Sequence, residues 1–143
     1  MTEPAVSFVD GYLPYLLGRA YHLISGEFHD ELARRGVPVM TWRIVASLWP
    51  DRTLGLTELA GIVLLKQPTC SKVITRLEAE GLVQRVTDRE DRRGVRISLT
   101  AKGRKLGEPL VAAAQAHERT VRAPLSADEE RVLLAVLRRL IDR

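Results

Sequence analysis

The chain has 143 residues, 45% of them hydrophobic and 28% charged, with a net charge of +4. That length suits one domain with a substantial core, and the balance excludes a disordered chain. The single cysteine, Cys70, excludes an internal disulfide and a structural zinc cluster.

Leu16, Leu17, Ala20, Leu23, Ile24, Phe28 and Leu32 recur near helical spacing and predict a first helix over about 13–34, with Gly36 as its stop. Pro38 is expected to open the next helix at its first position, where a missing N–H costs nothing. That helix carries Trp42, Ile44, Val45, Leu48 and Trp49, and should end before Pro50. Thr57 is a candidate N-cap for a short third helix over 57–64, with Glu58 at its positive end. A fourth helix is expected over 67–80, with Pro68 in its first turn, Val73, Ile74 and Leu77 on one face, and Gly81 as its stop.

After Gly81 the period changes. "LVQRV" and "VRISL" read as strands, the second with Val95, Ile97 and Leu99 on one side and Arg96 and Ser98 on the other. "TDREDRRGVR" is the turn between them. Thr100 then caps a helix over 101–122, broken by Pro124. "SADE" reads as a capping box joining Ser126 and Glu129. The stripe of Val132, Leu133, Val136, Leu137, Leu140 and Ile141 predicts a last amphipathic helix. The chain is thus mainly α with one small β-hairpin. Residues 38–100 form a compact unit inside a single domain, 1–143. The flanking segments 1–37 and 101–143 are long amphipathic helices suited to pairing with each other or with a second copy.

A helix can enter a DNA major groove while a hairpin beside it follows the backbone or reaches the minor groove. The fourth helix offers Gln67, Thr69, Ser71 and Lys72 in its first turns, and its N-terminus favours a phosphate. Taken alone, the hairpin turn is a nearly neutral, solvated charge run. Beside such a helix it becomes a tip that presents guanidinium groups, with Asp91 bracing one arginine while Arg92 reaches outward.

The stretch "LTELAGIVLLKQPTCSKVITRLEAEGLVQRVTDREDRRGVRISLTAKG" resembles the winged helix-turn-helix of the multiple-antibiotic-resistance regulator (MarR) family. The most specific pieces are "RLEAEGLVQR", "D-x-x-DRR" and "ISLTAKG", at the family's spacing, and the flanking helices match in order and length. The resemblance implies a homodimeric, ligand-responsive transcription regulator, usually a repressor, whose terminal helices form the dimer. Its double-stranded operator would be read by Gln67, Pro68, Thr69, Ser71, Lys72, Thr75 and Arg76 on the helix and by Arg92 and Arg93 on the wing, with Asp88 and Asp91 as support. It also implies a small-molecule effector, often an aromatic or phenolic acid. Tyr15, Arg19, His22, Trp42 and Arg43 are the candidate residues for that ligand. Two departures stand out. Leu64 and Lys66 replace the usual small residue and Ser or Thr cap, which costs about 1 kcal/mol of local stability. Glu90 stands where the family often has an arginine.

Other readings are weaker. His22, His29 and His117 have no second ligand at close metal spacing, no nucleophile is paired with a base, and no Gly-rich phosphate loop is present, so neither a metal site, a cofactor nor an enzyme is expected. Cys70 has no resolving thiol nearby in sequence and is expected to be a small packed or half-exposed residue rather than a redox sensor. No apolar run approaches the roughly 18 residues a membrane helix needs, and the N-terminus lacks a secretion pattern, so a cytoplasmic location without membrane contact is expected. The alternative function is a winged-helix module that contacts only proteins.

Overall fold

The computed structural model describes residues 5–87 and 94–143. A 3-10 turn, Phe8–Gly11, leads into α1 (Leu13–Arg34) and α2 (Val39–Leu48). Next come β1 (Leu54–Gly55), α3 (Leu56–Val63) and α4 (Gln67–Ala79), then β2 (Val83–Thr87) and β3 (Val95–Leu99). The last elements are α5 (Ala101–Arg122) and α6 (Ala127–Ile141). The mainly helical architecture with a small antiparallel wing is the one expected. The chain divides into two compact units, Met1–Val111 and Ala112–Arg143. No helix is long and apolar enough to cross a membrane among the described residues.

Helix ends follow their local chemistry. Gly36 and Gly81 adopt positive φ just past α1 and α4. There the Val37 N–H reaches the Leu32 carbonyl and the Leu82 N–H reaches the Leu77 carbonyl, closing Schellman turns. Thr100 caps α5, since the Gly103 N–H donates to its Oγ1 at 3.0 Å. The expected capping box opens α6: the Glu129 N–H donates to Ser126 Oγ at 3.1 Å and the Ser126 N–H donates to Glu129 Oε1 at 3.0 Å.

Four local expectations are corrected. Pro38 sits at the N-cap of α2, one residue before the helix. The N-cap of α3 is Gly55 rather than Thr57, because Leu54 and Gly55 are drawn into a sheet and the helix starts directly after them. The sheet also has a third strand. β3 lies between β2 and the two-residue β1, with Leu54 opposite Ile97 and Val83 opposite Leu99. The clean alternation expected of β3 is absent: Val95 is exposed while Ser98 is buried and accepts a hydrogen bond from Gln84 Nε2 at 3.3 Å.

The core of the first unit gathers Ile44, Val45 and Leu48 of α2, Leu59 and Val63 of α3, Cys70, Ile74 and Leu77 of α4, and Ile97 and Leu99 of β3. Losing one such leucine costs about 2–5 kcal/mol, so these contacts fix the position of α4. The start of α5 comes close to the same core through two glycines. A Cβ on Gly107 would lie 2.8 Å from side-chain atoms of both Val45 and Trp49. In the second unit no residue of α6 is buried, and Val132, Leu133 and Ile141 of its apolar stripe are exposed.

Candidate nucleic-acid interface and adjoining cleft

Two faces of α4 part company. Cys70, Ile74 and Leu77 recur at helical spacing and are buried. Gln67, Pro68, Thr69 and Lys72 lie on the remaining surface and are exposed, with Ser71 half-buried beside them. The helix starts at Lys66 without any side-chain cap, as the sequence predicts, and Pro68 sits in its first turn. The first N–H groups of α4 are therefore left to an external acceptor. Cys70 is fully buried, and burial pushes its thiol above the ordinary value, which fits a packed residue.

Two residues expected on the outer face are engaged within the protein. Thr75 Oγ1 donates to the Ser71 carbonyl at 2.9 Å and accepts from Arg85 Nη2 at 3.3 Å. Arg76 turns back, with Nη2 3.4 Å from Thr41 Oγ1 on α2 and Nε 3.9 Å from Glu80. Both remain on the exposed side of α4, but their polar groups are partly committed.

Arg96 performs a positioning task that the sequence reading left unassigned. Its guanidinium donates to Glu58 Oε1 at 3.1 Å and to the Thr53 carbonyl at 2.9 Å, tying β3 to the start of α3. Lys102 Nζ donates to the Glu80 carbonyl at 2.8 Å, placing a cation at the C-terminal end of α4, where the helix dipole favours one. Asp88, Glu90, Asp91, Arg92 and Arg93 lie outside the described residues.

In the same unit, a cleft of about 400 Å³ opens between α1, α2 and the end of α3. Phe28, Trp42, Ile62, Val63 and Leu64 supply apolar walls, while Tyr21, Ser25, His29, Arg43 and Ser47 supply polar groups. The rings of Phe28 and Trp42 meet edge to face with centroids 5.2 Å apart. Arg43 Nη1 donates to the Val63 carbonyl at 3.4 Å, and Nη2 donates to the Tyr21 hydroxyl. Of the five residues expected to hold a ligand, Trp42 and Arg43 line this cleft. Tyr15, Arg19 and His22 are exposed on α1 and do not. The residues that α1 does contribute, Tyr21, Ser25, Phe28 and His29, follow one helical stripe. Arg19 faces away from that stripe, and Tyr15 lies nearer the helix start. The stripe was hidden because nothing in the sequence says where α3 ends against α1. No cluster of His, Cys, Asp and Glu suited to a metal ion occurs among the described residues.

Comparison with known proteins places this geometry. The sequence model of the MarR family matches residues 40–95. The solved MarR family transcriptional regulator SPO1453 from Silicibacter pomeroyi DSS-3 is 38% identical, with a TM-score of 0.82 over 96% of this chain and 98% of its own. NadR, solved in complex with 4-hydroxyphenylacetate, is 26% identical, with a TM-score of 0.82 over 98% of this chain and 96% of its own. Among curated relatives, the HTH-type transcriptional regulator FarR of Neisseria gonorrhoeae is 32% identical over 64% of this chain. The homoprotocatechuate degradative operon repressor of Escherichia coli is 27% identical over 80% of it. The match spans 63% of FarR's own length and 77% of the repressor's. These relatives are regulators, not enzymes. The chain belongs to the MarR family.

Proposed function

We propose that this chain is a homodimeric transcriptional repressor that binds a pseudo-palindromic operator in double-stranded DNA and lets go when a small aromatic or phenolic acid fills the cleft. The observation that carries the reading is the division of α4, which is anchored by Cys70, Ile74 and Leu77 and leaves Gln67, Pro68, Thr69 and Lys72 exposed around an uncapped N-terminus. In this reading residues 38–100 form the DNA-binding lobe. Gln67, Thr69 and Ser71 address base edges and Lys72 a phosphate, while Thr75 and Arg76 stand at the margin. Arg92 and Arg93, supported by Asp88 and Asp91, extend the contact from the wing.

Segments 1–37 and 101–143 are assigned to the dimer. In the first unit Phe8, Tyr12, Leu13, Leu16 and Leu17 leave an apolar surface exposed, and in the second α6 leaves Val132 and Leu133 exposed. A closed two-fold pairing would bury both and set two copies of α4 about one DNA turn apart. The effector class follows from one guanidinium set among aromatic walls, which suits a carboxylate on a ring. The ligand named in the NadR complex, 4-hydroxyphenylacetate, is of that class.

Fluorescence anisotropy tests both halves, using a duplex from upstream of the protein's own gene, first with protein and then with added 4-hydroxyphenylacetate. A complex that forms and then dissociates with the acid supports the reading. A complex that persists against this acid and a panel of benzoates removes the effector half, and failure to bind the duplex returns the chain to the protein-interaction class.

A further inference from the structure

The carbonyl of Val63 is among the last of α3 and has no helical partner further along the chain. Immediately after it the backbone turns through Leu64, held in the left-handed conformation at φ 60, and α4 begins at Gln67. The Leu64 and Leu65 N–H groups both donate to the Ala60 carbonyl, so the turn is closed by few bonds. Arg43 is the side chain that holds it from outside, through Nη1 on the Val63 carbonyl, while Nη2 holds Tyr21 of α1. This guanidinium is also the only Arg or Lys group on the cleft wall among the described residues.

We propose that Arg43 is a positioning residue that couples the cleft to α4: an anionic ligand takes the guanidinium away from the Val63 carbonyl and loosens the turn that presents the helix. The inference rests on the cleft being an acid-binding site, as argued above. A carboxylate bonds a guanidinium through two parallel, charge-assisted hydrogen bonds, each stronger than one to a neutral carbonyl. The donors of arginine form a rigid planar fork, so turning its edge toward a carboxylate withdraws Nη1 from Val63. The ligand thus has a different affinity for the clamped and released turns, which any ligand-driven shift requires. Leucine disfavours the left-handed conformation, so the released turn has reason to relax.

The test is amide hydrogen exchange by NMR on wild type, Arg43→Met and Arg43→Lys, with benzoate and its neutral counterpart benzamide as probes. Without ligand, Arg43→Met is expected to speed exchange at Leu64 and Leu65 about tenfold, the effect of one lost hydrogen bond, with β2 and β3 unchanged. Benzoate is expected to do the same to wild type, benzamide to do nothing, and benzoate to add nothing in Arg43→Met. Arg43→Lys keeps the charge but lacks the fork, and is expected to shift exchange in the same direction should the Met variant lose its fold. Unchanged exchange at the turn in both variants overturns the clamp. Benzoate that binds wild type by calorimetry and leaves the turn unchanged overturns the coupling. Absence of benzoate binding counts against the acid-site reading itself, while the ligand-free variants still decide whether Arg43 holds the turn.

Discussion

The guanidinium of Arg85 on β2 donates to the hydroxyl of Thr75 on α4 at 3.3 Å, with Nε 3.6 Å from Glu78. This bond sets the strand that enters the wing against the helix proposed to read DNA. Arg85→Ala and Thr75→Val are therefore expected to couple by about 0.5–1 kcal/mol in a double-mutant cycle read by urea unfolding. The Glu78 contribution is exposed and should fade with added salt, whereas the Thr75 coupling should persist. Additive variants would mean that the two elements are registered by their apolar contacts alone.

A Cβ on Gly103 would lie 2.1 Å from the Leu82 carbonyl oxygen. Backbone cannot swing aside as a side-chain tip can, so Gly103→Ala is expected to destabilise the fold by about 3 kcal/mol. Gly61 on α3 has nothing within 4 Å of a built Cβ. Gly61→Ala is expected to stabilise by about 0.5–1 kcal/mol, since alanine gives up less backbone entropy in a helix. Chemical denaturation of the pair reads the opposite signs.

Leu64 combines a left-handed backbone with 79% exposure, so its side chain offsets little of the strain. Leu64→Gly is expected to raise stability by about 1 kcal/mol in denaturant unfolding. Because Leu64 also lines the cleft, the same variant is expected to weaken binding of aromatic acids by calorimetry.

Much of this fold could be read from the sequence because its signals are local. The bounds of α1 and α5, the glycine stops at Gly36 and Gly81, and the Ser126–Glu129 box each depend on residues within a few positions of one another. What escaped depends on distant partners. β1 exists only because Leu54 and Gly55 meet Ile97 and Arg96 across the chain, and that pairing moved the cap of α3 from Thr57 to Gly55. The exposed side of α4 followed from its buried spacing, but the engagement of Thr75 by Arg85 and of Arg76 by Thr41 required packing to be known. Trp42 and Arg43 line the cleft, whereas Tyr15, Arg19 and His22 share their chemistry but not their place, because which side of α1 faces the cleft depends on packing and not on residue type.

At the start of α6 the Ser126 backbone N–H, with the Ser126 side chain, holds the Glu129 carboxyl below its ordinary value of 4.5. A folded value below the unfolded one means stability that is present above about pH 4.5 and lost as pH falls through the folded value. Glu31 is lowered too, by hydrogen bonds from Arg34 and Arg35, and contributes in the same direction. Glu129→Gln, followed by circular dichroism between pH 6 and about pH 3, is expected to flatten the loss of helicity but not abolish it. Ser126→Ala is expected to cost about 1 kcal/mol at neutral pH through the lost cap.

The salt dependence of duplex binding tests the central claim, that α4 and the wing grip DNA, most directly. Anisotropy titrations with DNA from upstream of the protein's own gene should give affinity that falls steeply with salt, by about 0.9 in logarithmic slope per phosphate contacted. Lys72→Ala should lower that slope by about 1 per protomer while the fold is kept. Negligible affinity with no salt dependence, or a slope that Lys72→Ala leaves untouched, would contradict the account.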